Sequence, residues 1–129
     1  MRVLVTGGCG FLGSHFVRAW LRRYREAIIV NADCLTYAGS IENLEEAVGD
    51  SRHRHEQVDV ADPVAVEGLF VQGFDLVVHF AAETHVDRSL EDAGQFVRTN
   101  IRGTENILAV SGQRRAGMGR PVVIVISTD

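Results

Sequence analysis

Apolar residues in this chain follow two rhythms. Short continuous runs, Val3-Leu4-Val5, Ile28-Ile29-Val30, Leu76-Val77-Val78 and Val122 to Ile126, alternate with longer stretches in which apolar positions recur every three or four residues. The runs read as strands buried on both faces, and their length is too short for helices. They predict strands over 2–6, 27–31, 75–80 and 121–126, and a further one over 55–60. Between the first two strands, Leu12, Phe16 and Trp20 recur at four-residue steps, and Val17, Leu21 and Tyr24 extend the apolar side of one helix. Arg22, Arg23 and Arg25 fall where cations favour a helix C-terminus. A second helix opens at Asp62-Pro63, an N-cap followed by a proline at the first helical position, and buries Val66, Leu69 and Phe70. A third, over 93–111, carries Val97, Ile101, Thr104 and Leu108 on one stripe.

Doubly buried strands alternating with helices imply a parallel sheet wound in right-handed crossovers and covered on both faces. The fold class is therefore α/β, a Rossmann-type doubly wound sheet of which residues 1–129 supply the first five strands. The loops 32–40 and 81–92 are longer than a minimal connection, and both follow the C-terminal end of a strand, where open sheets of this kind bind ligands.

Composition narrows the class further. With 46% hydrophobic residues in 129 positions, the chain holds enough apolar material for one domain. Its net charge of -4 repels a phosphate backbone, which argues against a nucleic-acid binder. The longest apolar run is far shorter than a membrane span, so the chain reads as soluble and cytoplasmic, with no membrane partner. Cys9 and Cys34 lack metal-ligand spacing, and no metal site is expected. All 13 basic residues are arginine; the chain contains no lysine.

The chemistry concentrates between the first strand and the first helix, in Thr6-Gly7-Gly8-Cys9-Gly10-Phe11-Leu12-Gly13. Gly8, Gly10 and Gly13 satisfy G-x-G-x-x-G, and Gly7, Gly10 and Gly13 satisfy G-x-x-G-x-x-G; both spacings stay open at this point. Either gives a tight turn, a backbone that a pyrophosphate can approach, and a helix N-terminus offering N–H groups and positive dipole. The strand before, the helix and strand after, and Asp33 about 20 positions on complete the dinucleotide fingerprint. A carboxylate there accepts hydrogen bonds from both ribose hydroxyls and repels a 2′-phosphate, which favours NAD over NADP. Asp59 falls either at an adenine edge or in an exposed turn. Cys9 reads as a small residue filling a tight loop, the alternative being a thiol of lowered pKa at a helix N-terminus. His79, inside an apolar strand, reads as a satisfied core histidine.

Five stretches carry a family resemblance: TGGCGFLGSHFVR (6–18), NADCLTYAGSIENL (31–44), VHFAAETHVDRSL (78–90), TNIRGTENIL (99–108) and the terminal STD. Together they resemble the N-terminal part of the nucleotide-sugar dehydratases of the extended short-chain dehydrogenase superfamily, within them those acting on dTDP-glucose. LTYAG and AAETHVDRS are the specific elements, whereas the glycine motif and the Ala-Ala pair suit many superfamily members. Cys9, Thr84 and Ser40 depart from the family's usual Ala, Ser and Asn. The resemblance implies NAD as cofactor, contacted by Phe11 and Leu12, by Asp33, Cys34, Leu35 and Thr36, by Asp59 with Val60, by Phe80, Ala81, Ala82, Glu83 and Thr84, and by Thr99. Thr84 would also touch the substrate. Thr128 would hydrogen-bond the sugar C4 oxygen, and Asp129 would protonate the departing C6 hydroxyl. His85, Asp87 and Arg88 would shape the active-site loop without a chemical step. Tyr37 would pack or hydrogen-bond near the cofactor. Asn100 would brace the site, a surface helix asparagine being the equal alternative. A homodimer built on two helices is implied as well, with the helix over 93–111 one contributor.

The superfamily's Tyr-x-x-x-Lys pair has no counterpart: four positions after Tyr24 and Tyr37 stand Ile28 and Ile41. A protonated amine favours the phenolate of the base, so both partners are needed for the C4 oxidation. The chain is accordingly expected to be the NAD-binding part of a longer enzyme, with the substrate domain absent, and inactive alone. In the intact enzyme, dTDP-glucose would be oxidised at C4, lose water across C5 and C6, and be reduced at C6 to dTDP-4-keto-6-deoxyglucose. Two other readings remain: another NAD-dependent nucleotide-sugar epimerase or decarboxylase, and a non-catalytic NAD-binding module.

Overall fold

Five parallel strands form one sheet in the order β3-β2-β1-β4-β5. They are β1 (Arg2–Thr6), β2 (Ile28–Asp33), β3 (His53–Gln57), β4 (Leu76–His79) and β5 (Val122–Val125). The computed structural model describes residues 1–84, 92–113, 117 and 119–127. The chain winds outward from β1 through β2 to β3, then crosses back to β4 and β5, so the winding reverses between β1 and β4. This is the doubly wound arrangement expected from the sequence, and it leaves a crevice above β1 at the strands' C-terminal ends.

The continuous apolar runs follow from two cores of opposite facing. Val3, Val5, Ile29 and Val78 turn to one face, where they pack with Val17 and Leu21 of α1 (Phe11–Arg23) and with Leu44 and Ala47. Leu4, Val30 and Val77 turn to the other, against Val66, Leu69 and Phe70 of α2 (Pro63–Phe70) and Ile107 and Val110 of the last helix. Alternate side chains of the central strands thus enter different cores, and the polar residues buried there, Thr6, Asn31 and His79, sit toward the strands' C-terminal ends. The Asp62 N-cap forms as expected, its Oδ1 accepting from the amides of Val64 at 2.9 Å and Ala65 at 3.2 Å. In α1 the packed positions are Gly13, Ser14, Val17 and Leu21, while Leu12, expected on the apolar side, is exposed.

Two expectations need correction. β3 begins at His53 and ends at Gln57, two to three residues ahead of 55–60. Its partners run from Ile29↔His53 to Asp33↔Gln57, so Asp59 and Val60 belong to the following turn. As an edge strand, β3 can carry His53, Arg54 and Glu56, which hides it from an apolar search. A 3₁₀ turn at Ile41–Ala47, not anticipated, follows the β2 loop.

The second correction concerns the third helix. It runs as α3 (Ala93–Val97), a π-helical stretch at Arg98–Gly103, and α4 (Thr104–Gly112). Its buried positions are Gly103, Ile107, Val110 and Ser111, whereas Val97, Ile101 and Leu108 are about half exposed or more. Close approach decides which face turns inward. A Cβ at Gly103 would stand 2.6 Å from Cγ2 of Val60, and Asn106 donates to the Val60 carbonyl at 2.9 Å. Among the described residues no helix is long and apolar enough to cross a membrane.

Ile107→Ala is expected to cost about 2 to 5 kcal/mol, as for a buried aliphatic truncation. Ile101→Ala should stay within about 0.5 kcal/mol in the monomer. Urea unfolding of both variants tests this, and equal losses would reverse the assignment of the two faces.

Candidate functional site

Gly7 sits where the ends of β1, β2 and β4 converge. Its φ is +70°, a region L side chains avoid, and a Cβ there would lie 2.6 Å from the Ala81 backbone nitrogen. Its amide donates to the Ala32 carbonyl at 2.8 Å, and its carbonyl accepts from the Gly10 amide at 3.1 Å. A Cβ on Gly13 would collide with that same Gly7 carbonyl. Gly8 instead faces the Asn31 side chain, away from the crevice. The working spacing is therefore Gly7, Gly10, Gly13. Gly10 is the N-cap of α1 and has no side chain to occupy the helix's free amides, which leaves the first turn open to an anion.

Asp33 ends β2 beside this loop and is only 8% exposed. One carboxylate oxygen accepts from the Cys9 amide at 2.9 Å and the other from the Leu35 amide at 2.8 Å. Each oxygen keeps a lone pair for a further donor. Leu35 lies at φ 56°, an uncommon conformation for its type, and the bond to Asp33 helps hold it. The loop then folds back: Gly39 donates to the Thr36 carbonyl and Ser40 to that of Cys9, at 3.0 and 3.1 Å.

A cleft of about 200 Å³ results. Of the residues singled out in the sequence, Gly7, Gly10, Asp33, Cys34, Thr36, Asp59, Val60, Phe80, Ala81, Ala82, Glu83 and Thr99 line it. Phe11, Leu12, Gly13, Leu35 and Thr84 do not. Phe11 and Leu12 stand exposed at the start of α1, Gly13 lies beneath the loop, and Thr84 is exposed beyond Glu83. Thr128 and Asp129 lie outside the described residues, as do His85, Asp87 and Arg88. Ala32, Ala38, Gly39, Val58 and Gln95 line the cleft without having been singled out. Gln95 had a readable signal: it stands four residues before Thr99, on one helix face, and donates to its hydroxyl at 3.3 Å.

Asp59 answers to both of its readings. It makes a local turn by accepting from the Ala61 amide at 2.8 Å, pairs with Arg98 at 2.6 Å, and still borders the cleft. Tyr37 donates from its hydroxyl to the Glu83 carboxylate at 2.7 Å. Asn100, within the π-helical stretch, grips the Glu83 backbone twice: it accepts from the amide at 2.8 Å and donates to the carbonyl at 2.9 Å. It braces the loop after β4 and is not a surface residue of convenience. π-helical turns of this kind often accompany functional sites.

His79 is the satisfied core histidine expected, and its partners fix its tautomer. Thr104 gives its hydroxyl proton to the Asn100 carbonyl at 2.8 Å, so toward His79 Nε2, 3.1 Å away, it can only accept. Nε2 therefore carries the proton, and Nδ1 accepts from the Thr6 hydroxyl at 2.6 Å. Burial pushes the imidazole pKa down to about 4. Cys9, fully buried, has its thiol pushed up to about 11, chiefly by burial and further by the Asp33 charge, against the opposing bond from Asn31. The shift runs opposite to the lowered thiol pKa of the alternative reading.

A family model described as GDP-mannose 4,6 dehydratase matches residues 4–129. The chain belongs to this family. Within it, the chain is 50% identical to the dTDP-glucose 4,6-dehydratase of Neisseria meningitidis serogroup B, over 83% of its own length and 30% of the relative's. It is 44% identical to that of Streptomyces niveus, over its whole length and 38% of the relative's. The chain thus spans about a third of the length of the curated relatives it matches. Among solved structures, the dTDP-glucose 4,6-dehydratase DesIV of Streptomyces venezuelae, a double mutant crystallised with NAD bound, superimposes with a TM-score of 0.80 at 43% identity, over 86% of this chain and 35% of that one. The UDP-glucose 4-epimerase of Thermotoga maritima, solved with UDP-glucose, gives 0.76 at 29% identity, over 86% and 34%.

The buried imidazole makes stability depend on pH. Because its folded pKa lies below the ordinary 6.5, the unfolded chain takes up the proton first, so stability is full above about 6.5 and falls as pH drops toward 4. The loss attributable to His79 should reach at most about 3 kcal/mol. Urea midpoints of the wild type and His79→Gln between pH 4 and 7 test it: the variant should show the shallower slope, and parallel slopes would contradict the account.

Proposed function

We propose that this chain holds NAD for a dTDP-glucose 4,6-dehydratase. The observation that carries the reading is Asp33, a nearly buried carboxylate at the end of β2, beside the open N-terminus of α1 and facing the cleft. The residues present fit the dinucleotide: Gly7 and Gly10 leave the backbone bare where a pyrophosphate would lie, and the α1 amides face it. Asp33 would accept the adenosine ribose hydroxyls, Asp59 and Val60 would border the adenine, and Phe80 to Thr84 with Thr99 would line the path toward the nicotinamide. NAD, when bound, supplies the reversible oxidation at the sugar's C4 and C6. The relatives with this activity, and the solved DesIV with NAD bound, support the reading.

In the chemical step, Thr128 would hold the C4 oxygen and Asp129 would give a proton to the departing C6 hydroxyl. The Tyr-x-x-x-Lys pair needed for proton removal at C4 is not in these 129 residues, and the chain alone is expected to form no 4-keto product. Val97, Ile101 and Leu108, half exposed along one face of the last helix, would suit the helix pairing of a homodimer.

NAD should bind more tightly than NADP, because a 2′-phosphate against Asp33 in a partly desolvated cleft costs on the order of 1 to 3 kcal/mol. Calorimetry with both dinucleotides tests this; equal or tighter NADP binding would overturn the assignment, and Asp33→Arg should narrow the gap. In the full-length enzyme, Asp129→Asn should slow water loss roughly 100- to 10,000-fold with little change in substrate affinity, the usual range for a lost general acid. Product formation and substrate titration read the two effects separately. A variant that lost C4 oxidation but eliminated normally from a supplied 4-keto substrate would move Asp129 to the other step.

A further inference from the structure

We infer that Tyr37 and Glu83 form a strap across the cofactor crevice that must open each time a dinucleotide enters or leaves; this rests on the dinucleotide reading above. The argument is topological. Tyr37 belongs to the loop after β2 and Glu83 to the loop after β4, and β1 with its glycine turn lies between those two strands. Strands two places apart in a sheet are separated by about 10 Å. The bond from the Tyr37 hydroxyl to the Glu83 carboxylate, 2.7 Å long, therefore joins the loops on either side of β1, and Glu83, Gly7 and Gly10 all line the cleft between them. A dinucleotide with its adenosine over β2 and β3 and its nicotinamide over β4 and β5 must carry its pyrophosphate through that same gap.

Both ends stand on ordered backbone. On the β4 side, Asn100 fixes both the amide and the carbonyl of Glu83, so that end is tied to the last helix. On the β2 side, Tyr37 stands on a short turn closed by the Gly39 to Thr36 bond and is partly exposed. Both partners are protein groups, so the bond has to break for passage in either direction. A gate of this kind sets how fast a cofactor exchanges, which is a different property from how tightly it binds. For a cofactor regenerated within each turnover, slow exchange keeps it in place between cycles.

Stopped-flow fluorescence with NADH on the full-length protein, wild type and Tyr37→Phe, provides the test. Loss of one hydrogen bond to a charged group should raise the association and dissociation rate constants together, roughly 10-fold each, with Kd held within about threefold. Adding Glu83→Gln to Tyr37→Phe should give no further acceleration of association. Unchanged rates in Tyr37→Phe, or a faster dissociation matched by an equal loss of affinity, would overturn the strap and leave the dinucleotide reading standing. A wild-type protein that fails to bind NADH at all would overturn the dinucleotide reading itself, and the strap with it.

Discussion

The close approach of three strand ends at Gly7 is the constraint from which the site follows. No side chain fits between Gly7 and the Ala81 backbone, and the Gly7 amide and carbonyl are committed to Ala32 and Gly10. That one bare position sets the entry of α1, the height of the loop after β4 and the end of β2. Gly13 repeats the demand one turn later, where helix backbone meets loop backbone. The crevice exists because these main chains touch below it, leaving the loops to rise on either side.

A second layer of fixed polar contacts carries order from the sheet to those loops. Thr6, His79 and Thr104 form a chain from β1 through β4 to the last helix, and Asn100 continues it to the backbone of Glu83. Each group has one consistent role as donor or acceptor, so the chain is satisfied without a charge. Its direction is set by the one hydroxyl whose proton is already spoken for, that of Thr104. The start of the loop after β4, from Ala81 to Glu83, is thereby held by side chains on two different elements, Thr6 of β1 and Asn100 of the last helix.

The sheet and its glycine loop were legible because their causes are local. Doubly buried strands leave unbroken apolar runs, and a turn that admits no side chain leaves glycines at fixed spacing. Asp33 was legible by its distance from that loop. What escaped reading had non-local causes. β3 was expected two to three residues too late, because its edge position lets it carry polar residues and its bounds are set by pairing with Ile29 to Asp33. The inward face of the last helix is chosen by Gly103 against Val60, a contact between residues 43 apart, while the more conspicuous stripe of Val97, Ile101 and Leu108 faces outward. Ala38 and Gly39 reach the cleft only because their loop doubles back over Asp33, a course no periodicity encodes.

Asp33 is at once part of the wall and part of the reading surface. Its two oxygens hold the amides of Cys9 and Leu35, and the second of these supports a leucine in the left-handed region. Any replacement that alters what the cleft accepts also withdraws an acceptor from two main-chain donors, one of them buried. On the proposed reading, nucleotide selectivity and loop integrity rest on the same carboxylate. A substitution at Asp33 therefore acts on the cleft and on the Cys9 and Leu35 turns in the same step.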